Sequence, residues 1–227
     1  MRIFITGTQD RASELMLKIP NTIEVDYFTP EEYFELEQLE QYDVIFDLNL
    51  DDEPEKIELY AGLENKPVIV SAVKTQLSEL IFLCQEPFTA TLFGMNALPG
   101  FINRPLMEFT CFDSADKNNL LSICQNLNWE ATIVADRVGM ITPRIIFMII
   151  NEAFYTLQEG TANEADIDES MKLGTNYPFG PFEWTQKVGI NEVYETLEAI
   201  YEDTHDERYK VCPLLKTRYL KEAISSF

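Results

Sequence analysis

The stretch Asp136-Arg-Val-Gly-Met-Ile-Thr-Pro-Arg144 determines how the second half of this chain folds. Pro143 suits the first turn of a helix and Gly160 suits a helix end, so one helix is predicted over Pro143–Glu159. Residues 145–150 are all apolar and cover every side of that helix, which predicts burial all round. Further short motifs follow in order: Asn151-Glu-Ala, Glu159-Gly160, Asp166-Ile-Asp168, Leu173-Gly174 and Tyr177-Pro-Phe-Gly-Pro-Phe182.

More helices are predicted downstream, and no strand. They are a helix capped by Asn163 and ending at Gly174, then Pro181–Val188, Ile190–Glu202 and Cys212–Ile224. Residues 136–227 are therefore expected to form an all-helical domain. The aromatic and proline residues of the motif 177–182 are interpreted as packing and turn residues rather than as a site.

Strand-like and helix-like segments alternate through residues 1–135. The predicted strands are Arg2–Thr6, Thr22–Phe28, Asp43–Leu48, Pro67–Ser71, Leu106–Phe112 and Glu130–Ala135. The predicted helices are Asp10–Ile19, a segment that starts at Thr29-Pro30, Pro54–Asn65, Thr75–Cys84 and Asp116–Leu127. This alternation predicts a parallel sheet with helices on its faces, so the fold class is α/β followed by all-α.

Composition limits the classes of function. The 227 residues are 46% hydrophobic, which is typical of a globular protein. The net charge of −22 disfavours nucleic acid and an anionic membrane as partners, and it disfavours coenzyme A unless a local basic patch exists. Four cysteines lie far apart, no metal site is indicated, and the N-terminus is interpreted as a strand rather than a signal peptide, so a cytoplasmic location is expected.

The order and spacing of the motifs after Asp136 resemble the C-terminal domain of the 3-hydroxyacyl-CoA dehydrogenases. Those enzymes oxidise the 3-hydroxyl of fatty acyl-CoA thioesters with NAD. The resemblance covers residues 136 to about 217. It implies a truncated Rossmann-like domain over residues 1–135 and a helical domain over residues 136–227 that forms a homodimer. The family's helical arm, which holds CoA after the second strand, has no room here, because Asp43–Leu48 follows Asp26 too closely.

The expected cofactor residues are Gly7, Gln9 and Asp26. A dinucleotide fingerprint needs glycines for a tight turn and for close approach of the pyrophosphate, and only Gly7 meets that need. Gln9 stands where a side chain would crowd the pyrophosphate, and Asp10 adds a negative charge beside it. Asp26, interpreted as the end of the second strand, could bind the adenosine ribose, or it could be an ordinary surface acid.

The resemblance also implies catalytic positions. The family's catalytic His falls on Asn96 and its Glu on Glu108, and an amide cannot accept a proton near neutral pH. Lys74 or Thr75 falls near a substrate-contacting Ser, and Pro143 replaces a substrate-side Asn. The chain's only histidine, His205, lies in an acidic segment and is interpreted as a solvated surface residue.

Two functions remain open from the sequence. One is an oxidoreductase of reduced activity, which would use NAD and a residue such as Lys74 on a different 3-hydroxy substrate. The other is a non-catalytic protein that binds a ligand such as an acyl-CoA, or a protein partner, or serves as a scaffold.

Overall fold

The computed structural model describes residues 1–32 and 34–225. The chain divides into two compact units, Met1–Met140 and Ile141–Phe227. The boundary falls a few residues after the expected one, since Asp136 accepts hydrogen bonds from the backbone of Leu77 and Ser78 in the first unit.

The first unit is a seven-stranded sheet with helices. Its strands in chain order are β1 Arg2–Thr6, β2 Glu24–Phe28, β3 Val44–Asp47, β4 Pro67–Ser71, β5 Thr91–Met95, β6 Leu106–Cys111 and β7 Glu130–Val134. Their order in the sheet is β2-β1-β3-β4-β5-β6-β7. The first five strands are parallel, β6 is antiparallel to β5, and β7 is parallel to β6. The predicted α/β class is confirmed.

The helices of this unit are α1 Gln9–Met16, α2 Leu36–Leu39, α3 Leu77–Leu83 and α4 Lys117–Asn126, with 3-10 helices at Leu50–Asp52, Pro54–Tyr60 and Ser114–Asp116. The helix predicted to start at Thr29 is wrong. The Glu32 carboxylate accepts a hydrogen bond from the Thr29 backbone at 2.6 Å, which closes a turn, and α2 begins only at Leu36.

Strand β5 was not predicted, and Gly94 at its centre explains why. A glycine weakens the apolar pattern of a strand, yet a Cβ at this position would lie 2.7 Å from the Thr110 side chain and 2.8 Å from Ala72. The neighbouring strand and the turn after β4 therefore require glycine here.

The second unit is helical, as the motifs predicted. It contains α5 Thr142–Gln158, α6 Glu164–Thr175, α7 Pro181–Val188, α8 Ile190–Thr204 and α9 Pro213–Ser225, with a 3-10 helix at Glu207–Tyr209. The Asn163 carboxamide accepts from the Asp166 backbone and caps α6 as expected. Helix α5 packs against α7, α8 and α9. Within one chain α5 is not buried all round, because Ile145 is 54% exposed.

Candidate functional site

The turn from β1 into α1 is the first part of the candidate dinucleotide site. Gly7 has φ +148°, and a Cβ there would lie 2.8 Å from the Leu48 Cβ, so β3 approaches this turn closely. The Thr8 N–H, at the N-terminus of α1, donates to Asn49 Oδ1 at 2.8 Å. In dinucleotide-binding folds such N–H groups point at phosphate oxygens. Here the Asn49 side chain already accepts a hydrogen bond from the first of these N–H groups, that of Thr8.

The sequence predicts that the Gln9 side chain would crowd a bound pyrophosphate, but in the structure this side chain forms a hydrogen bond within helix α1. Its side chain is exposed and donates to the Ser13 hydroxyl one helical turn later, at 3.1 Å. Asp10 is also exposed at the start of α1. The same edge of the sheet carries an ion network that sequence reasoning missed.

Arg11 is the centre of that network. Its side chain is 1% exposed, and its guanidinium donates to the Leu48 carbonyl at 2.5 Å. It lies 3.3 Å from an Asp52 oxygen and 3.7 Å from an Asp51 oxygen. The Lys74 ammonium reaches the other Asp52 oxygen at 2.5 Å. Two cations and two carboxylates thus connect helix α1 with the turns that follow β3 and β4.

Within the network, the positive charges of Arg11 and Lys74 offset the negative charges of the two carboxylates. Burial would raise the pKa of Asp52, but Arg11 and Lys74 outweigh it and hold that pKa below its usual value. Asp51 accepts from the backbone N–H groups of Val73 and Lys74 and so fixes the turn after β4. The sequence carried a signal for this arrangement: a basic residue after β1 and an acidic pair after β3 stand at carboxyl ends of neighbouring parallel strands.

A cavity of about 190 Å³ lies beside the network, lined partly by Gly7, Asn49 and Asp47. Asp47 ends β3 and accepts from the Tyr60 hydroxyl at 2.8 Å and from the Asn49 backbone at 3.1 Å. Burial raises the pKa of Asp47 to about 6, although these two hydrogen bonds act in the opposite direction. Glu31, Glu32 and Glu53 also line the cavity, against Lys56, so its lining is acidic.

The predicted place of Asp26 is wrong. Strand β2 continues to Phe28, and Asp26 lies in mid-strand opposite Phe4 rather than at the strand end. Its carboxylate accepts from the Arg2 guanidinium at 2.6 Å and from the Tyr42 hydroxyl at 2.9 Å. These bonds hold the side chain within the sheet edge, away from the turn that a ribose would approach.

Asn96 and Glu108, predicted to replace the catalytic pair, do lie together. The Asn96 N–H donates to the Glu108 carbonyl at 3.1 Å, which extends the β5–β6 ladder by one pair. Both side chains are buried. Burial lowers the pKa of the Arg104 guanidinium and the charge of Glu108 opposes that shift, so the cation lies within electrostatic reach of this carboxylate. The charge of Glu108 therefore acts on a nearby arginine.

The remaining predicted residues are placed as follows. Thr75 is buried and donates to Glu79 at 2.9 Å in the same turn. Lys74 belongs to the ion network. Pro143 is buried in the first turn of α5, in the helical unit. His205 ends α8 with φ +48° and is exposed, as expected of a surface residue. Over residues 1–32 and 34–225, no group of His, Cys, Asp or Glu is arranged to hold a metal ion.

Comparison with known proteins identifies the helical unit. A sequence model described as the 3-hydroxyacyl-CoA dehydrogenase C-terminal domain matches residues 139–225. The helical unit is similar to this domain family. The chain is also 44% identical over 90 residues to a 3-hydroxyadipyl-CoA dehydrogenase of Escherichia coli, a match that spans 40% of this chain but only 19% of that protein.

Two further relatives cover more of the chain. It is 26% identical to a probable 3-hydroxybutyryl-CoA dehydrogenase of Bacillus subtilis, over 82% of this chain and 67% of the relative. The crystal structure of a (S)-3-hydroxybutyryl-CoA dehydrogenase from Ralstonia eutropha has the same fold, with a TM-score of 0.74 at 18% identity, over 97% of this chain and 94% of the other. The dehydrogenase fold is therefore shared by the whole chain, whereas sequence similarity concentrates in the C-terminal unit.

Proposed function

We propose that this chain is a non-catalytic member of the 3-hydroxyacyl-CoA dehydrogenase family that acts as a ligand-binding or scaffold protein. The observation that carries the proposal is the ion network of Arg11, Asp51, Asp52 and Lys74, at the carboxyl edge of the parallel strands. Ligands of open α/β sheets bind at that edge. In this chain Arg11, Asp52 and Lys74 lie at that edge and form ion pairs with one another.

The residues present do not fit a dinucleotide cofactor. A pyrophosphate needs free backbone N–H groups at a helix N-terminus and a neutral or positive surrounding. Asn49 Oδ1 already accepts a hydrogen bond from the Thr8 N–H, and the exposed Asp10 adds negative charge beside the same turn. Asp26, expected to hold the ribose, is bound by Arg2 and Tyr42. We therefore infer that NAD binds weakly or not at all.

The site also lacks a base for alcohol oxidation. The Asn96 amide cannot take the hydroxyl proton near neutral pH, and Glu108 lies in the field of Arg104 instead of orienting an imidazole. Lys74 is a poor substitute, because the Asp52 carboxylate at 2.5 Å stabilises the ammonium form, which has no proton-accepting lone pair. These contacts disfavour the alternative of an oxidoreductase that uses Lys74.

Acyl-CoA remains a candidate ligand, and a homodimer remains the expected assembly. Between β2 and β3 the described residues form one short helix, α2, so a long helical arm for CoA is not accommodated there. The exposed Ile145 and the half-buried Ile149 on α5 give the helical unit an apolar outer surface that suits a second copy. No helix of the described residues has the length and apolarity needed to cross a membrane.

The first prediction tests cofactor binding and activity together. NADH is titrated against the purified chain while the emission of Trp129, buried in the α/β unit, is followed, and turnover of acetoacetyl-CoA with NADH is measured. We expect no saturable binding in the micromolar range and no turnover above background, since loss of a general base alone costs about 10²–10⁴ in rate.

Two variants sharpen that test. Asn96→His restores a possible base without changing the ion network, and Gln9→Gly removes an exposed side chain from the turn. Neither is expected to produce turnover, because both leave Arg11, Asp52 and Lys74 in place. Micromolar NADH binding or turnover by the unmodified chain would overturn the proposal, and turnover by Asn96→His would show that the ion network does not exclude the cofactor.

A further inference from the structure

A second concave surface lies on the α/β unit, away from the residues of the ion network. It is a groove of about 880 Å³ formed by α2, by the 3-10 helix Pro54–Tyr60 and its continuation, and by residues 86–89. We call it the α2 groove. Phe34, Leu36, Leu59 and Pro87 give it an apolar floor. Phe34 is fixed from beneath by edge contacts with Phe4 and Phe28 at ring distances of 4.9 and 6.4 Å, so the floor rests on the sheet.

Large apolar side chains are exposed along and beside this groove. Leu36 and Leu59 are each more than a third exposed. Helix α3 packs against the same 3-10 helix and ends just before the 86–89 wall, and its Phe82 is 88% exposed. The exposed leucines at this groove, Leu36 and Leu59, are typical of an interaction surface.

The rim of the α2 groove carries one sign of charge. Glu35, Glu37, Glu58 and Glu86 line it, and no lysine or arginine does so among the described residues. An apolar floor with an acidic rim complements a segment whose apolar residues are flanked by lysines or arginines. A second copy that presents the same groove is a poor occupant, because the two acidic rims would then face each other.

We propose that the α2 groove docks a basic, amphipathic segment of a partner protein. Leucine-like side chains of that segment would contact Leu36, Leu59 and Phe34, and its cationic side chains would lie against Glu37 and Glu86. The inference rests on the proposed scaffold role and gives it a partner chemistry. Its test contains no nucleotide or thioester, so its failure is distinguishable from failure of the proposed loss of activity.

The experiment uses the full chain and a fluorescently labelled synthetic peptide. The peptide has leucines on one face of a helix and lysines on the other, and its binding is followed by fluorescence anisotropy at physiological salt. We expect saturable binding that the variant Glu37→Lys/Glu86→Lys weakens by about tenfold or more. Leu59→Asn, at an exposed position of the floor, should also weaken it while leaving the unfolding midpoint nearly unchanged.

Matched controls separate docking from general attraction to an acidic protein. The variant Glu130→Lys/Glu159→Lys makes the same change of charge at exposed positions outside the groove and should bind the peptide as the unmodified chain does. A peptide of the same composition without an apolar face should bind much more weakly. Absence of saturable binding, equal binding of both peptides, or equal loss in both double variants would overturn the proposal. Concentration-dependent self-association that Glu37→Lys/Glu86→Lys abolishes would also overturn it, in favour of a second copy.

Discussion

At the scale of single residues, burial decides which charges matter in this protein. Arg11 is buried and forms ion pairs, whereas the adjacent charged residue in the chain, Asp10, is exposed at the start of α1. Arg11 is tolerated inside the fold because two carboxylates and a carbonyl surround its guanidinium. The proposal that the chain does not bind a dinucleotide depends on this network, which lies at the edge of the sheet where ligands of such folds bind.

Asp47 gives a prediction about pH at this scale. Its ordinary pKa of 3.8 applies to the unfolded chain, and burial raises its pKa to about 6 in the folded protein. Between these values the folded protein binds more protons than the unfolded chain, so this residue lowers the free energy of unfolding as pH rises from about 4 to 6. Above pH 6 its contribution is constant. The shift corresponds to roughly 3 kcal/mol.

The variant Asp47→Asn removes this titration. The Tyr60 hydroxyl can still donate to the remaining amide oxygen, so we expect the variant to gain stability relative to the unmodified chain as pH rises from 4 to 6. Urea unfolding at a series of pH values measures the difference, with the exposed Glu130→Gln as control. A difference between Asp47→Asn and the unmodified chain that does not change with pH would contradict the prediction.

At the scale of the elements, Asp168 and Gly180 together determine where helix α7 begins. Asp168 on α6 is buried, and its carboxylate accepts from the Phe182 N–H at 2.8 Å and the Glu183 N–H at 3.2 Å. It therefore caps the N-terminus of α7 from another helix. A Cβ on Gly180 would lie 2.3 Å from this carboxylate, so glycine is required for the cap to form.

This cap predicts a contrast between two glycines. Gly180→Ala should destabilise the chain by about 2 kcal/mol or more, because the added methyl group displaces Asp168 from two N–H groups. Gly174→Ala, on α6 with open space around the position of the Cβ, should be neutral or stabilising by up to about 1 kcal/mol. Chemical denaturation of both variants tests the pair. Equal effects of the two substitutions would show that Asp168 does not fix the start of α7.

At the scale of the whole molecule, assembly is the main prediction. Helix α5 keeps Ile145 exposed, and Ile149 lines an apolar hollow of about 400 Å³ together with Ala153, Ile167 and Met171. A homodimer through residues 136–227 would cover this surface and should bury well over ~1,000 Å². Ile146, on the same helix, lies inside the unit at 8% exposure, so a charge there would disturb folding rather than assembly.

We therefore expect Ile145→Glu/Ile149→Glu to convert the dimer into a folded monomer. Light scattering gives the mass, and circular dichroism confirms that the helices remain. Leu17→Glu, at a position 76% exposed in the α/β unit, is the matched control and should stay dimeric. A stable monomer of the unmodified chain at micromolar concentration would end this interpretation.

The sequence alone predicted six of the seven strands and most of the helices, because alternation, apolar periodicity, capping residues and prolines act over a few neighbouring residues. The resemblance to the dehydrogenase family matched Asn96 and Glu108 to the catalytic pair, and the structure pairs their backbones in extension of the β5–β6 ladder. Strand β5 escaped prediction because the need for Gly94 arises from Ala72 and Thr110, on other parts of the sheet.

Only the tertiary structure decided what the ligand edge contains. Arg11, Asp52 and Lys74 are distant in the chain, and the parallel pairing of β1, β3 and β4 brings their charges within hydrogen-bonding distance. The pairing of β1 with β2 likewise turned Asp26 toward Arg2. Local patterns in the sequence determine the order of the helices and strands, and the order of short motifs carries the resemblance to a family. Whether a charged side chain is free for a ligand or held by another residue depends on contacts between strands, which local patterns do not encode.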